Sequence, residues 1–433
     1  MAKDARGLDV SNASPEAIEV INDFTARMLR LDQGVEAILT AADRWPETPM
    51  LRIYAASLFL FGQTAEATEN ARQQLGQVPS ASANERERGI FQGLLLWADG
   101  LHLRAVEAFE EVTRRWPADL LTAKFAEFLY YVLGQQHMGA RFRAHMERIE
   151  PANANDADFL GMAAFASELC GEFAEAESRA TRALEIEPRN AWAEHALSHV
   201  LIRQGRVAEG RARMETFLPQ LEKSMRVVHS HDAWHLALLY LEELEGERML
   251  TIYRDHVWGF APELVGEQID AISLLWRAEL AGMPMDDRWE EIANHVEHRV
   301  HEAFMPFLSA HHVYALARAG RNDATEKLLA TVRERSERDD DEARRVWAKA
   351  GRTIVEACAK FGAGDRAAAA EMLEPVMPDM TTIGGSDAQD DLFRQTFLRS
   401  LQAAGRKADA DAYFDRISGG KIRTPLDEAL MAA

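Results

Sequence analysis

The heptapeptide His229-Ser230-His231-Asp232-Ala233-Trp234-His235 holds three imidazoles, a carboxylate and an indole. The apolar run Leu236-Ala237-Leu238-Leu239-Tyr240-Leu241 follows without Gly or Pro, so the stretch reads as the body of a helix. His231 and His235 then stand one turn apart, and Asp232 shares their face. That face suits acid–base work, with Asp232 and His229 available to orient an imidazole, or the holding of a metal ion. Asp232 near a helix start serves equally as a cap. A second pair of the same spacing, His195 and His199, lies in Trp192-Ala-Glu-His195-Ala-Leu-Ser-His199. The competing reading for both pairs is a set of buried, hydrogen-bonded core histidines.

The elements that carry these residues are set by a recurring glycine. Gly62, Gly100, Gly134, Gly171, Gly205, Gly246, Gly282, Gly320, Gly362 or Gly364, and Gly405 fall 34 to 44 residues apart. A period near 34 belongs to helix–turn–helix repeats of the tetratricopeptide type. Gly supplies the left-handed end of the first helix, small residues such as Ala176 and Ala183 follow, and a proline closes the second helix. Pro46, Pro79, Pro117, Pro151, Pro188, Pro219, Pro262 and Pro375 take that closing role. Leu160 to Pro188 is the clearest unit. No strand pattern competes. The expected fold is all-α, a right-handed α-solenoid of about ten helical hairpins running through residues 1–433. Within it, residues 1–50 would cap the N-terminus, 51–220 hold the most regular hairpins and 221–433 the divergent ones. The charged segment 333–345 reads as a solvated loop opening into a helix, with Asp339 to Glu342 at the helix start.

With the glycines as a ruler, polar residues recur at one height. His195 lies 10 before its glycine, His235 11, Asp270 12, His311 9 and Arg394 11, whereas earlier hairpins offer Leu160 and Lys124. These positions would line a concave groove, with Trp192 and Trp234 at its edge. Arg277 would either close the pocket wall beside Asp270 or form a structural ion pair with it. His311-His312 straddles two faces, so at most one ring would enter the groove. Gly384-Gly385-Ser386-Asp387-Ala388-Gln389 precedes a helix, where free N–H groups would hold an anionic group beside Arg394, or where Ser386 would simply cap the helix. His295, His298 and His301 sit among Glu290, Glu291 and Glu297 and read as an exposed face.

Composition narrows the function classes. The net charge is -21, with no basic stripe, which argues against nucleic acid and anionic membranes as partners. Two cysteines, Cys170 and Cys358, in no C-x-x-C pairing, argue against a disulfide framework and a thiolate zinc site. No apolar run long enough to span a bilayer occurs, so a cytoplasmic location is expected. No nucleophile elbow, Walker loop, dinucleotide fingerprint or H-E-x-x-H is present.

Several of these stretches together resemble the tetratricopeptide repeat protein 38 family: Ala5-Arg-Gly7, Trp192-x-x-His195-Ala-x-x-His199-Val, His231-Asp-x-Trp234-His235-x-Ala-Leu, Asp270-Ala-x-Ser-Leu-Leu-Trp276-Arg277, Phe307-x-x-x-His311-x-x-x-Ala-Leu and Gly384-Gly385-Ser386-x-Ala388-Gln389. The resemblance implies a divergent tetratricopeptide solenoid and no settled activity. This chain departs from the family pattern at Ser309, where an acidic residue is expected, and at Asp390-Asp391, where a basic one is.

Two functions follow. In the first, the groove binds a peptide, a partner protein or a small polar ligand, with a homodimer left open. Its candidate contacts are Trp192, His199, His229, Trp234, Asp270, Arg277, His311, Ser386, Gln389 and Arg394. In the second, His231, His235, Asp232 and His195 perform acid–base or metal-assisted chemistry, such as hydrolysis of a small carboxylate- or amide-bearing molecule. The sequence requires no cofactor. A divalent metal, if bound, would fall to His195, His199, His231 and His235.

Overall fold

The computed structural model of the chain describes residues 1–338, 345–419 and 421–432. The helix start expected at Asp339 to Glu342 lies outside the described residues. The fold is all-α, a succession of helical hairpins. Among the described residues, strands are confined to the ribbon Ala2–Lys3 with Asp9–Val10. No described helix is long and apolar enough to cross a membrane.

The hairpins share one division of labour, seen in the unit read most clearly from the sequence. In Ala157–Glu168 every residue from Asp158 to Glu168 is buried. In its partner Phe173–Ile186 only Ala176, Ala180 and Ala183 are. A stripe of small residues spaced three and four apart lets the second helix lie close on the first while its other faces meet water. First helices are therefore the interior layer, and polar side chains on them are forced into the core.

Most turn glycines hold the left-handed conformation expected of them, with Gly364 rather than Gly362 taking it in the ninth turn. Two do not. At Gly62 and Gly246 the left-handed residues are Gln63 and Leu244. At Gly62 the glycine serves packing instead, since a Cβ there would stand 3.0 Å from that of Ala67. Pro151 departs from its expected place too, lying inside the last turn of Ala140–Asn153 rather than after it.

Cα packing divides the chain into two compact units, residues 1–196 with 223–225, and residues 197–222 with 226–433. In unit 1 the helix Leu120–Leu133 is buried along nearly its whole length and takes Lys124 and Glu127 inside with it. A further buried pair, Arg86 and Asp119 at 2.7 Å, ties Glu85–Ala98 to the start of Leu120–Leu133.

Unit 2 folds back on itself. Asp387–Ala403 packs on Val265–Leu280, and Pro425–Met431 packs on Arg226–Glu242. Two arginines make the first contact reciprocal. Arg277, on Val265–Leu280, donates to the Ala388 carbonyl at 2.6 Å, and Arg399, on Asp387–Ala403, donates to the Leu280 carbonyl at 2.8 and 2.6 Å. The second contact is held by Glu242, whose carboxylate accepts from Thr424 Oγ1 at 2.5 Å and Lys421 Nζ at 3.1 Å. Gly385 permits the chain to enter Asp387–Ala403 against Phe307: its φ is +94°, and a Cβ would meet the Phe307 ring at 2.9 Å.

Candidate functional site

Helix Arg226–Glu242 starts three residues before His229, so Asp232 lies well inside it and does not cap it. The carboxylate that orients His231 comes from the next hairpin. Asp270 Oδ1 stands 2.8 Å from His231 Nδ1, while Asp270 Oδ2 accepts from Ser230 Oγ at 3.2 Å. Asp270 is buried, which raises its pKa, and the contacts with His231 and Ser230 oppose the rise. With Nδ1–H donated to a carboxylate, Nε2 of His231 is the basic nitrogen. Its side chain is 21% exposed, in contrast with the 3% of Asp270.

The same arrangement recurs at His199. Its Nδ1 lies 3.3 Å from Asp387 Oδ1, and Asp387 Oδ2 lies 3.1 Å from Arg203 Nε. Burial alone would raise the Asp387 pKa, but the hydrogen bond from His199 and the nearby Arg203 charge hold it below the ordinary carboxylate range. Between the two imidazole–carboxylate pairs stands His235, fully buried, its ring centroid 4.8 Å from that of His199 and 4.9 Å from that of His231. Burial pushes its pKa well below that of ordinary imidazole, and the neighbouring His199, His231 and Arg277 act in the same direction. His235 is neutral at physiological pH.

Trp234 is buried and stacks on His231, with centroids 5.2 Å apart and planes 14° apart. The Arg277 guanidinium also packs against it, 5.4 Å from the ring centroid. Arg277 forms no ion pair with Asp270. It donates to Ser273 Oγ and to the Ala388 carbonyl, and burial lowers its pKa to about 10, which leaves it cationic. Asp390 is buried beside Asp387 and Asp391. Burial first, then those two charges, raises its pKa well above the carboxylate range, opposed by Arg394, 3.9 Å away. Arg394 itself bonds Asp391 at 2.5 Å.

Other residues of the expected site have structural partners of their own. His195 belongs to unit 1, where it stacks on Trp192 at 4.4 Å. Trp192 in turn donates to Glu127 at 2.7 Å and carries the Lys124 ammonium 3.8 Å above its ring. His229 pairs with His256, Nε2 to Nδ1, at 3.2 Å. His311 and His312 are both buried. His311 Nδ1–H donates to the Phe307 carbonyl at 2.8 Å, and burial holds both rings at a pKa of about 3. Ser386 and Gln389 form a capping box, in which the Ser386 N–H donates to Gln389 Oε1 at 3.0 Å. His295 and His298 share the exposed Glu263. Arg203 and Asp387 were absent from the sequence-based set. The one signal for them was position: Arg203 one turn after His199, and Asp387 at the start of the helix after the double glycine.

No family model matches the chain. Two solved structures show partial likeness. A mutant of MamA is 20% identical over 40% of this chain and 95% of its own, with a TM-score of 0.24. The structure of Naa15/Naa10 bound to HypK-THB is 14% identical over 94% of this chain and 64% of its own, with a TM-score of 0.25. Neither bears on what this chain binds.

Proposed function

We propose that this chain is a helical-repeat binding protein of the tetratricopeptide repeat protein 38 type, and that unit 2 binds a small polar ligand at His231. The observation that carries the reading is the convergence of His199, His231, His235, Asp270, Arg277 and Asp387, which come from four helices. An extended peptide is better served by polar side chains repeated along hairpin after hairpin. A dense set drawn together by one folded-back unit suits a compact ligand with a hydrogen-bonding or carboxylate end. His231 is the group through which such a ligand would be met, since its outer nitrogen is basic and it is the more exposed member of its pair.

A thermal-unfolding screen over small carboxylates, amino acids and amides tests this. Binding stabilises by RT ln(1 + [L]/Kd), about 2.7 kcal/mol at a hundredfold excess over Kd. The expected result is a compound that raises the melting point of the wild type and not that of His231→Ala. A peptide or partner protein that binds both forms equally, with no small molecule acting, would contradict it.

The Asp270–His231 pair also favours a second reading, an acid–base enzyme. A carboxylate-oriented imidazole is the arrangement of a general base, with Nε2 taking the proton. Ser230 is not a nucleophile in it, because its hydroxyl meets Asp270 rather than an imidazole. Consumption of the stabilising compound by the wild type and not by His231→Ala would support this reading over simple binding.

A further inference from the structure

We infer that the C-terminal segment, residues 421–432, is a releasable strap that closes unit 2 over Arg277, with Glu242 as its latch. This rests on the small-ligand reading of unit 2 and deepens it by assigning how access to the buried end of that cluster is controlled.

The strap crosses the C-terminal ends of the helices that carry the cluster. Its backbone passes over Gly205, in the turn after Ala191–Gln204, so closely that a Cβ there would stand 2.5 Å from the Ile422 carbonyl oxygen. Its side chains then meet the last residue of Arg226–Glu242, with Thr424 Oγ1 donating to Glu242 at 2.5 Å and Lys421 Nζ at 3.1 Å. Its last turn is held by Asp387–Ala403. There Gln402 donates to the Leu430 carbonyl at 2.7 Å, and Arg399 to the Leu430 and Ala429 carbonyls at 3.2 and 3.3 Å. The same Arg399 binds the Leu280 carbonyl at the end of Val265–Leu280. One segment is thus tied to the ends of the four helices that supply His199, His235, Arg277 and Asp387.

What lies beneath is polar and closed. Asp391, Glu242 and Asp390 are the carboxylates that oppose the effect of burial on Arg277, and Glu242, Asp427 and Asp391 do the same for Lys421. Glu242 and Asp391 act on both cations, so the latch lies within charge range of Arg277. His235 is two turns before Glu242, about 10 Å along the same helix. His231 is the exposed end of the cluster and Arg277 the closed end.

The attachment is slight for a structural element. A helix as short as Pro425–Met431 does not persist alone. The buried apolar side chains of the strap are Leu426 and Leu430, while Ile422 is 62% exposed. A segment with so few apolar contacts opens at a cost below that of global unfolding.

The test is amide hydrogen exchange by mass spectrometry on the full chain, with phenylglyoxal as the probe of arginine access. Gly205→Ala sets a Cβ against the Ile422 carbonyl and also holds alanine at φ near +70°, whereas Gly282→Ala, at φ near +87° with nothing within 4 Å, carries the strain alone. In the wild type, residues 421–432 should exchange faster than Arg226–Glu242. Glu242→Gln should speed that exchange by about 10- to 100-fold, the factor that one hydrogen bond to a charged group represents. Gly205→Ala should do at least as much, and Gly282→Ala should leave the strap as it is. In both released forms Arg277 should gain phenylglyoxal modification, and Arg299, buried elsewhere in the unit, should not. If Gly205→Ala fails to fold, Glu242→Gln carries the comparison. Strap exchange in step with Arg226–Glu242 in every form, equal strap exchange in Gly205→Ala and Gly282→Ala, or an Arg277 left unmodified once the strap exchanges freely would overturn the inference. None of these readouts depends on ligand binding, so the small-ligand reading stands or falls separately on the thermal screen.

Discussion

Replacing Arg277 with Met tests how unit 2 is closed. The guanidinium is 3% exposed and joins Val265–Leu280 to the first turn of Asp387–Ala403 through the Ala388 carbonyl. Methionine keeps much of the volume and removes the charge. Hydrogen bonds to a charged group contribute about 1.5–3 kcal/mol each; those to Ser273 and Ala388 are lost, with a long, weak one to the Gln389 carbonyl at 3.5 Å. The contact with Trp234 adds on the order of 1–2 kcal/mol in a desolvated setting. Against this, the variant no longer desolvates a charge, a penalty of several kcal/mol in itself. The balance is a loss of about 2–4 kcal/mol. For a unit of this size each kcal/mol moves the melting point by about 2–4 °C, so the expected drop is about 4–16 °C. Calorimetry measures the drop, and amide hydrogen exchange locates it. Protection should fall first in Asp387–Ala403. A melting point within about 1 °C of the wild type, a rise, or protection lost evenly over unit 2 would refute the clamp.

Unit 1 carries an acid-sensitive group. His145 is buried between Thr113 Oγ1 at 2.8 Å and Tyr130 Oη at 3.0 Å, and burial lowers its pKa to about 4. The unfolded chain therefore takes up the proton first as pH falls. The stability that depends on the neutral ring is fully present above about pH 6.5 and declines toward pH 4, by about 3 kcal/mol. Thermal unfolding at pH 7.5 and 4.5 should show a smaller acid loss in His145→Gln than in the wild type. Two glycines in the same unit separate clash from strain. Gly93→Ala places a Cβ 2.2 Å from the Phe109 ring and should cost about 1–3 kcal/mol by overpacking. Gly100→Ala meets nothing within 4 Å but must hold φ near +78°, costing about 1–2 kcal/mol. Denaturant titration of the two variants measures both. Asp119→Ala leaves the Arg86 guanidinium without its buried carboxylate and should destabilise by about 3–5 kcal/mol, whereas replacing both residues with apolar side chains should recover much of the loss.

The hairpins were legible because their signals are local. A left-handed glycine ends a helix, and a stripe of alanines buries the next one, wherever the chain goes afterwards. The His231–His235 face was legible for the same reason, being one turn of one helix. The partners of those histidines were not. Asp232 is the carboxylate adjacent in sequence, yet Asp270 holds His231, because neighbouring first helices face each other across the interior layer. Asp387 reaches His199 across an interval of 188 residues only because unit 2 folds back, and glycine spacing carries no information about that curvature. His311 falls at the right height on the ruler but turns to the Phe307 carbonyl among aromatic rings. Height along a helix is readable from spacing, whereas the direction a side chain faces within a curved stack is a tertiary property.

The central claim is that the polar cluster around His231 binds a small molecule. Native mass spectrometry of the protein isolated without denaturation, beside His231→Ala and His298→Ala, tests it most directly. The account predicts a bound species of small-molecule mass in the wild type and in His298→Ala, where the altered residue lies on the exposed face with Glu263, and its loss in His231→Ala. A wild-type mass equal to that of the bare chain, or an adduct retained in His231→Ala, would contradict it.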